Sequence, residues 1–94
     1  MRIVVASEAR DDLAAAVGYI AKGNPAAAAR FVKRIREVVM LLAEGGLDGP
    51  RSRFRSGLEV RSWPVPPFRI FYRREADELH ILRIYHQSRR PLGR

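Results

Sequence analysis

The chain has 94 residues, 47% of them hydrophobic and 30% charged, with no cysteine and a formal net charge of +8. That is enough for one core and too little for two, and it excludes disorder along the whole length, a disulfide scaffold and a thiolate metal site. No carboxylate cluster accompanies the two histidines, His80 and His86, and no apolar run approaches the roughly 20 residues that span a bilayer, so neither metal, cofactor nor membrane is expected.

In chain order, Met1-Arg2-Ile3-Val4-Val5 reads as a first strand. It is too short for a secretory signal, and a cytoplasmic location is the expectation. Ser7 is placed to cap a helix whose first turns carry Glu8, Asp11 and Asp12, with Ala9, Leu13, Ala16, Val17 and Ile20 on one face. Gly23 stops it. Asn24-Pro25 starts a second helix, whose stripe is Ala28, Phe31, Val32, Ile35, Val38, Val39 and Leu42, and Gly45-Gly46 ends that. Two amphipathic helices with so short a turn pack as an antiparallel hairpin. Residues 45–57 read as a loop rich in glycine, serine and arginine. Three strand-like segments follow, Leu58 to Val65, Phe68 to Arg74 and Leu79 to His86, with Pro64 suggesting an edge or a break in the first. The expected fold is α+β in the order β-α-α-β-β-β, one domain over 1–94, with the hairpin on one face of a small curved antiparallel sheet.

The charge is uneven. Residues 1–50 carry 7 Lys/Arg against 6 Asp/Glu, whereas residues 51–94 carry 11 Arg against 4 acids, so +7 of the +8 lies in the second part. Arginine presents a planar fork to phosphates, carboxylates and aromatic faces. An anionic partner, nucleic acid or acidic protein, is therefore expected. Strict alternation puts Phe68, Ile70 and Tyr72 on one face with Leu82 and Ile84. It leaves Arg61, Trp63, Arg69, Phe71, Arg83 and Tyr85 on the other, open face. Arginines interleaved with aromatics suit phosphate and base binding, and equally a protein interface. The plainer alternative for Phe71 and Trp63 is that they cover the sheet.

Ala9-Arg10-Asp11-Asp12-Leu13, Tyr19-Ile20-Ala21, Asn24-Pro25-Ala26-Ala27, Phe31 and Ile35 resemble the helical hairpin of the RelE/ParE toxin superfamily. Gly57 to Trp63, Phe68 to Tyr72 and Leu79 to His86 resemble its strands, so the likeness runs through nearly the whole chain in order. The resemblance implies a toxin of a type II toxin–antitoxin system, neutralised by an acidic cognate antitoxin of ParD type. RelE-like members cut messenger RNA on the ribosome, and ParE-like members poison DNA gyrase. In the cutting branch basic residues clamp the phosphate and a group near the C-terminus moves protons. By motif, Arg69 stands at the central strand arginine and Arg89 at the arginine after the last strand, and Arg61 lies near a basic position of the cutting branch. After Arg89 there is no tyrosine or histidine, leaving His86 as the one proton carrier near that end, with a strand-end packing role as its plainer reading.

Tyr19-Ile20-Ala21, Asn24-Pro25 and an end soon after His86 look more like the ParE branch. The favoured expectation is therefore a gyrase inhibitor with no catalytic residue of its own and Arg61, Trp63, Arg69, Phe71, Arg83, Tyr85 and Arg89 as its binding surface. The alternative is a ribosome-dependent endoribonuclease using Arg69, Arg89 and His86. A third possibility is a basic interaction module whose arginines serve only an acidic partner.

Overall fold

The computed structural model describes residues 1–88. Strand β1 (Arg2–Val5) leads into helices α1 (Ser7–Gly23) and α2 (Pro25–Glu44), followed by strands β2 (Arg51–Arg53), β3 (Glu59–Val65), β4 (Phe68–Glu75) and β5 (Glu78–His86). The five strands form one sheet in the order β1-β5-β4-β3-β2. Both helices lie on one of its faces, as the apolar stripes require.

The hairpin follows its local signals closely. The Asn24 side chain accepts from the Ala27 N–H at 3.0 Å, Pro25 occupies the first turn, and Gly45 ends α2 in the left-handed conformation at φ 81°. One cap differs. Ala6, not Ser7, is the N-cap of α1, and no side chain caps it. Ser7 already lies inside the helix because the Ala6 N–H is tied to the Ile81 carbonyl at 2.9 Å, which fixes where the strand gives way to the helix.

Two features of the sheet go beyond the expected meander. Part of the segment read as loop forms β2, antiparallel to β3, so the order is β-α-α-β-β-β-β. Moreover, β1 runs parallel to β5, with Arg2 opposite Glu78 and Val5 opposite Ile81, so the sheet is mixed. Parallel strands need a long crossover, and here the whole of α1, α2 and β2 to β4 lies between β1 and β5.

The main core lies between the hairpin and the sheet. Ala9, Ala16, Phe31, Ile35, Val38 and Leu42 from the helices meet Val65, Phe68, Ile70, Tyr72, Leu79, Ile81 and Ile84 from the strands. A smaller cluster of Phe54, Val60, Phe71, Leu82 and Tyr85, with Leu58 against it, occupies the opposite face. Strict alternation fails along β5. Phe71 is opposite Arg83 and Tyr72 is opposite Ile81, so β5 carries one extra residue there, a β-bulge. Ile81 therefore faces the helices and Leu82 the other side, the reverse of the expected assignment. Every buried side-chain nitrogen and oxygen among the described residues has a hydrogen-bond partner.

Candidate interaction surfaces

The residues expected to share one open face are divided among three places. Arg61 and Trp63 stand opposite Tyr72 and Ile70, two residues of the main core, and so lie on the helix side of the sheet. Trp63 packs against that core. Strand β3 starts one residue later than expected, at Glu59, and the sequence alone offered no register to relate its parity to that of β4. Arg69, Phe71 and Tyr85 do lie on the face away from the helices. Phe71 and Tyr85 are only 5% and 4% exposed, with ring centroids 5.5 Å apart and Phe54 5.8 Å from Phe71. The plainer alternative holds for Phe71: it covers the sheet instead of offering a stacking platform. Arg69 donates from Nε to the Ser62 hydroxyl at 2.8 Å, across the cross-strand diagonal.

Arg83 occupies the third place. β1 pairs with β5 only as far as Ile81, so the β5 edge beyond it lacks a strand neighbour. Asp12 of α1 covers that edge. Its carboxylate accepts from the Ile84 N–H at 2.9 Å and from the Arg83 guanidinium at 2.8 and 3.0 Å. The hydrogen bond to Asp12 also raises the Arg83 pKa above its ordinary value. The Arg83 guanidinium carbon sits 4.7 Å from the Tyr85 ring centroid, a cation–π distance. This arginine is a seam between helix and strand: it stands opposite Phe71 and its side chain reaches round the β5 edge to α1.

His86 is opposite Phe68 and faces the helices. Its ring meets Phe68 at 5.3 Å and Tyr19 at 6.3 Å, both edge to face, and Nδ1 lies 2.8 Å from the Ser88 hydroxyl. Phe68 and Arg69 are consecutive strand residues, so His86 and Arg69 project from opposite faces of the sheet. Arg89 lies outside the described residues.

A polar knot around Asp48 and Gly49 escaped the sequence reading. The Tyr72 hydroxyl accepts from the Gly49 N–H at 2.7 Å and donates to Asp48 Oδ1 at 3.1 Å. Arg74 donates to the same oxygen at 2.8 Å and to the carbonyls of Leu42 and Leu47. Arg61 donates to the Gly49 carbonyl at 2.8 Å, with its Nε 3.5 Å from Asp48. The Arg74 hydrogen bond, aided by the Tyr72 hydroxyl and the Arg61 charge, holds the Asp48 carboxyl below its ordinary value against some burial. Burial above all pushes the Tyr72 hydroxyl up. Asp48-Gly49-Pro50 was the available signal, a turn tripeptide just after a helix end.

These surfaces hold fixed arginines, and among the described residues no group of three His, Cys, Asp or Glu side chains could hold a metal ion. No helix among them is long and apolar enough to cross a membrane. Compared with known proteins, residues 3–91 match the family model described as the ParE toxin of type II toxin–antitoxin system, parDE. The fold is also similar to that of a solved chain of the chromosomal ParDE TA system from P. aeruginosa. The TM-score is 0.71 and the sequence identity 27%, over 92% of this chain and 95% of that one. No curated protein matches the sequence.

Proposed function

The chain belongs to the ParE toxin family of type II toxin–antitoxin systems, and from that premise we propose that it inhibits DNA gyrase in the cytoplasm and is held inactive by an acidic antitoxin of ParD type. The observation that carries the choice of gyrase over message cleavage is the placement of Arg69 and His86 on opposite faces of the sheet. Cutting RNA at its 2′-hydroxyl requires a proton carrier and a phosphate clamp within reach of one scissile bond. Here the histidine packs edge to face on Phe68 and Tyr19, while the arginine is engaged with Ser62. Inhibition by binding requires no such convergence.

The outer face of α2 supports the antitoxin part. Met40 and Leu41 are 48% and 38% exposed beside Lys33 and Arg36. An antitoxin segment mixing aliphatic and acidic side chains, folding as it binds, would cover that apolar strip and pair with the cations.

The test is a supercoiling assay with purified gyrase beside primer extension on translated message, for wild type and His86→Gln. The expected result is that both proteins stop supercoiling and leave message intact. Cleaved message with undamaged DNA, and a folded His86→Gln protein weakened by roughly 10²–10⁴-fold, the usual worth of a positioned acid or base, would overturn the reading in favour of a RelE-like endoribonuclease.

A further inference from the structure

Strand β2 is one edge of the sheet, with β3 as its neighbour on the inner side. The hydrogen bonds fix which way its backbone points. The Pro50 carbonyl accepts from the Ser62 N–H at 3.2 Å, and the Phe54 N–H donates to the Leu58 carbonyl at 3.0 Å. In an antiparallel pair such residues alternate with residues whose backbone groups face away. Ser52, opposite Val60, therefore turns its N–H and C=O to β3, while Arg51 and Arg53 turn theirs outward. These outward groups have no hydrogen-bond partner among the described residues, and both arginines are exposed. Each residue carries one N–H and one C=O, so two donors and two acceptors stand in a row along an open edge. Another extended chain adds to such a row as a strand.

The side chains select among the chains that could add. Arg51 stands across β2–β3 from Arg61, a like-charge pair that costs stability, and makes no ion pair among the described residues. Asp48, the carboxylate beside Arg61, is shared by Arg61 and Arg74. Arg53 has Glu59 opposite it at 3.5 Å and donates to the Gly57 carbonyl. Arg55, in the turn that follows, is exposed and equally without an ion pair among the described residues. Along this edge Arg51, Arg53 and Arg55 thus meet one carboxylate, that of Glu59. A shallow recess of about 250 Å³, lined by Arg51, Ser52, Arg53 and Glu59, runs beside it.

Charge on an edge strand works in two directions. It repels chains of the same sign, so a second copy of this chain, at +8, is a poor occupant. It attracts a strand bearing carboxylates, because opposite charges on cross-strand neighbours stabilise the pairing. Side chains alternate along a strand, so acids two positions apart fall opposite Arg51 and Arg53 together. The residue between them falls beside Ser52, a small side chain. A phosphate backbone would take the arginine forks, but it only accepts hydrogen bonds and leaves the outward carbonyls of Arg51 and Arg53 unused. A peptide strand supplies both donors and acceptors.

We propose that the outer edge of β2 takes up an acidic protein segment as an added strand, with carboxylates at alternate positions opposite Arg51 and Arg53. The site lies apart from the α2 strip and does not depend on gyrase being the target.

The experiment follows backbone amides of the full chain by NMR as a short synthetic peptide alternating glutamate with valine is added. A peptide alternating lysine with valine is the control. The Arg51 and Arg53 amide signals are expected to shift and their hydrogen exchange to slow, with Ser52, already bonded to β3, changing least. Two variants separate backbone from charge. Arg51→Gln removes the charge alone and is expected to weaken binding about threefold, the scale of an exposed ion pair. Arg51→Pro also removes the outward donor while sparing the ladder to β3, and a loss of roughly 10-fold or more is expected. Thermal melts establish that both variants are folded, and if Arg51→Pro is not, the wild-type amide pattern decides by itself. Absence of any shift at Arg51 and Arg53 would overturn the proposal. Equal losses in the two variants, or shifts as large on α2 as on β2, would replace it with general charge attraction. Equal binding of the lysine peptide would remove the acidic assignment. Protection of these amides that grows with protein concentration and needs no peptide would give the edge to a second copy. Shifts there with a DNA duplex and none with the peptide would give it to a phosphate backbone, and either result overturns the proposal.

Discussion

The helical hairpin with β5 and the lobe built from residues 48–74 are held by different physics. On the hairpin side many apolar residues share one core, and the principal polar tie is the Asp12 carboxylate on Arg83 and the Ile84 amide. On the lobe side one half-exposed carboxylate, Asp48, one buried tyrosine hydroxyl and one glycine tie β3 and β4 to the end of α2, beside the small apolar cluster of Phe54, Val60 and Phe71. Apolar packing is redundant, because each residue has several neighbours of the same kind. The polar knot is not, since each member has a partner that nothing else supplies. Substitutions should therefore have uneven consequences on the two sides.

The largest effect is expected at Gly49. A Cβ built there lies 1.7 Å from the Ser62 carbonyl oxygen, and a backbone atom cannot swing aside as a flexible side chain would. Gly49→Ala must push the loop off β3, breaking the Tyr72 and Arg61 hydrogen bonds together. A loss of about 3 kcal/mol or more in urea denaturation is expected, the upper range for overpacking a core. A loss below about 1 kcal/mol would mean that the loop is not seated as described.

How far the fold could be read from the sequence follows the same division. The hairpin was legible because helix spacing, the Asn24-Pro25 start and the Gly45 stop are local signals that agree with one another. The face assignment failed at Ile81 and Leu82 because a bulge adds one residue, and nothing at those positions announces it. Arg61 and Trp63 were placed on the wrong side because the register between β3 and β4 is a pairing property, set by the partner strand and not by either sequence alone. Strand β2 was missed because three residues of Arg-Ser-Arg carry no apolar alternation. The arginine excess was legible as composition.

A middle-sized effect is expected at the seam. Asp12 and Arg83 have 16% and 22% of their side chains exposed, so this pair is sheltered from solvent more than a surface ion pair. Asp12→Asn keeps an oxygen for the Ile84 amide and removes the charge opposite Arg83. A loss of about 1–3 kcal/mol is expected, the range for hydrogen bonds to charged groups. Faster amide exchange at Ile84 in Asp12→Ala, with little change at Tyr72, would locate the damage at the β5 edge. Equal acceleration at both amides would instead mean that hairpin and lobe open as one unit.

The smallest effect is expected at Asp48, and pH is the means of seeing it. Its folded pKa lies below the ordinary 3.8, first because of the Arg74 hydrogen bond. A depressed carboxylate contributes stability that is present above the unfolded pKa and is lost as pH falls through the folded one. The contribution should thus be complete at neutral pH and disappear below about pH 4. Because half of the side chain is exposed, solvent screens much of the attraction, and the step should be modest. Asp48→Asn is expected to melt slightly below wild type at pH 7 and to converge with it in acid. Melting curves at a series of pH values would show this as a gap that closes on acidification. A gap of constant size down to strong acid would mean that the Asp48 charge is idle and that the knot is held by the Tyr72 hydroxyl and the Gly49 backbone alone.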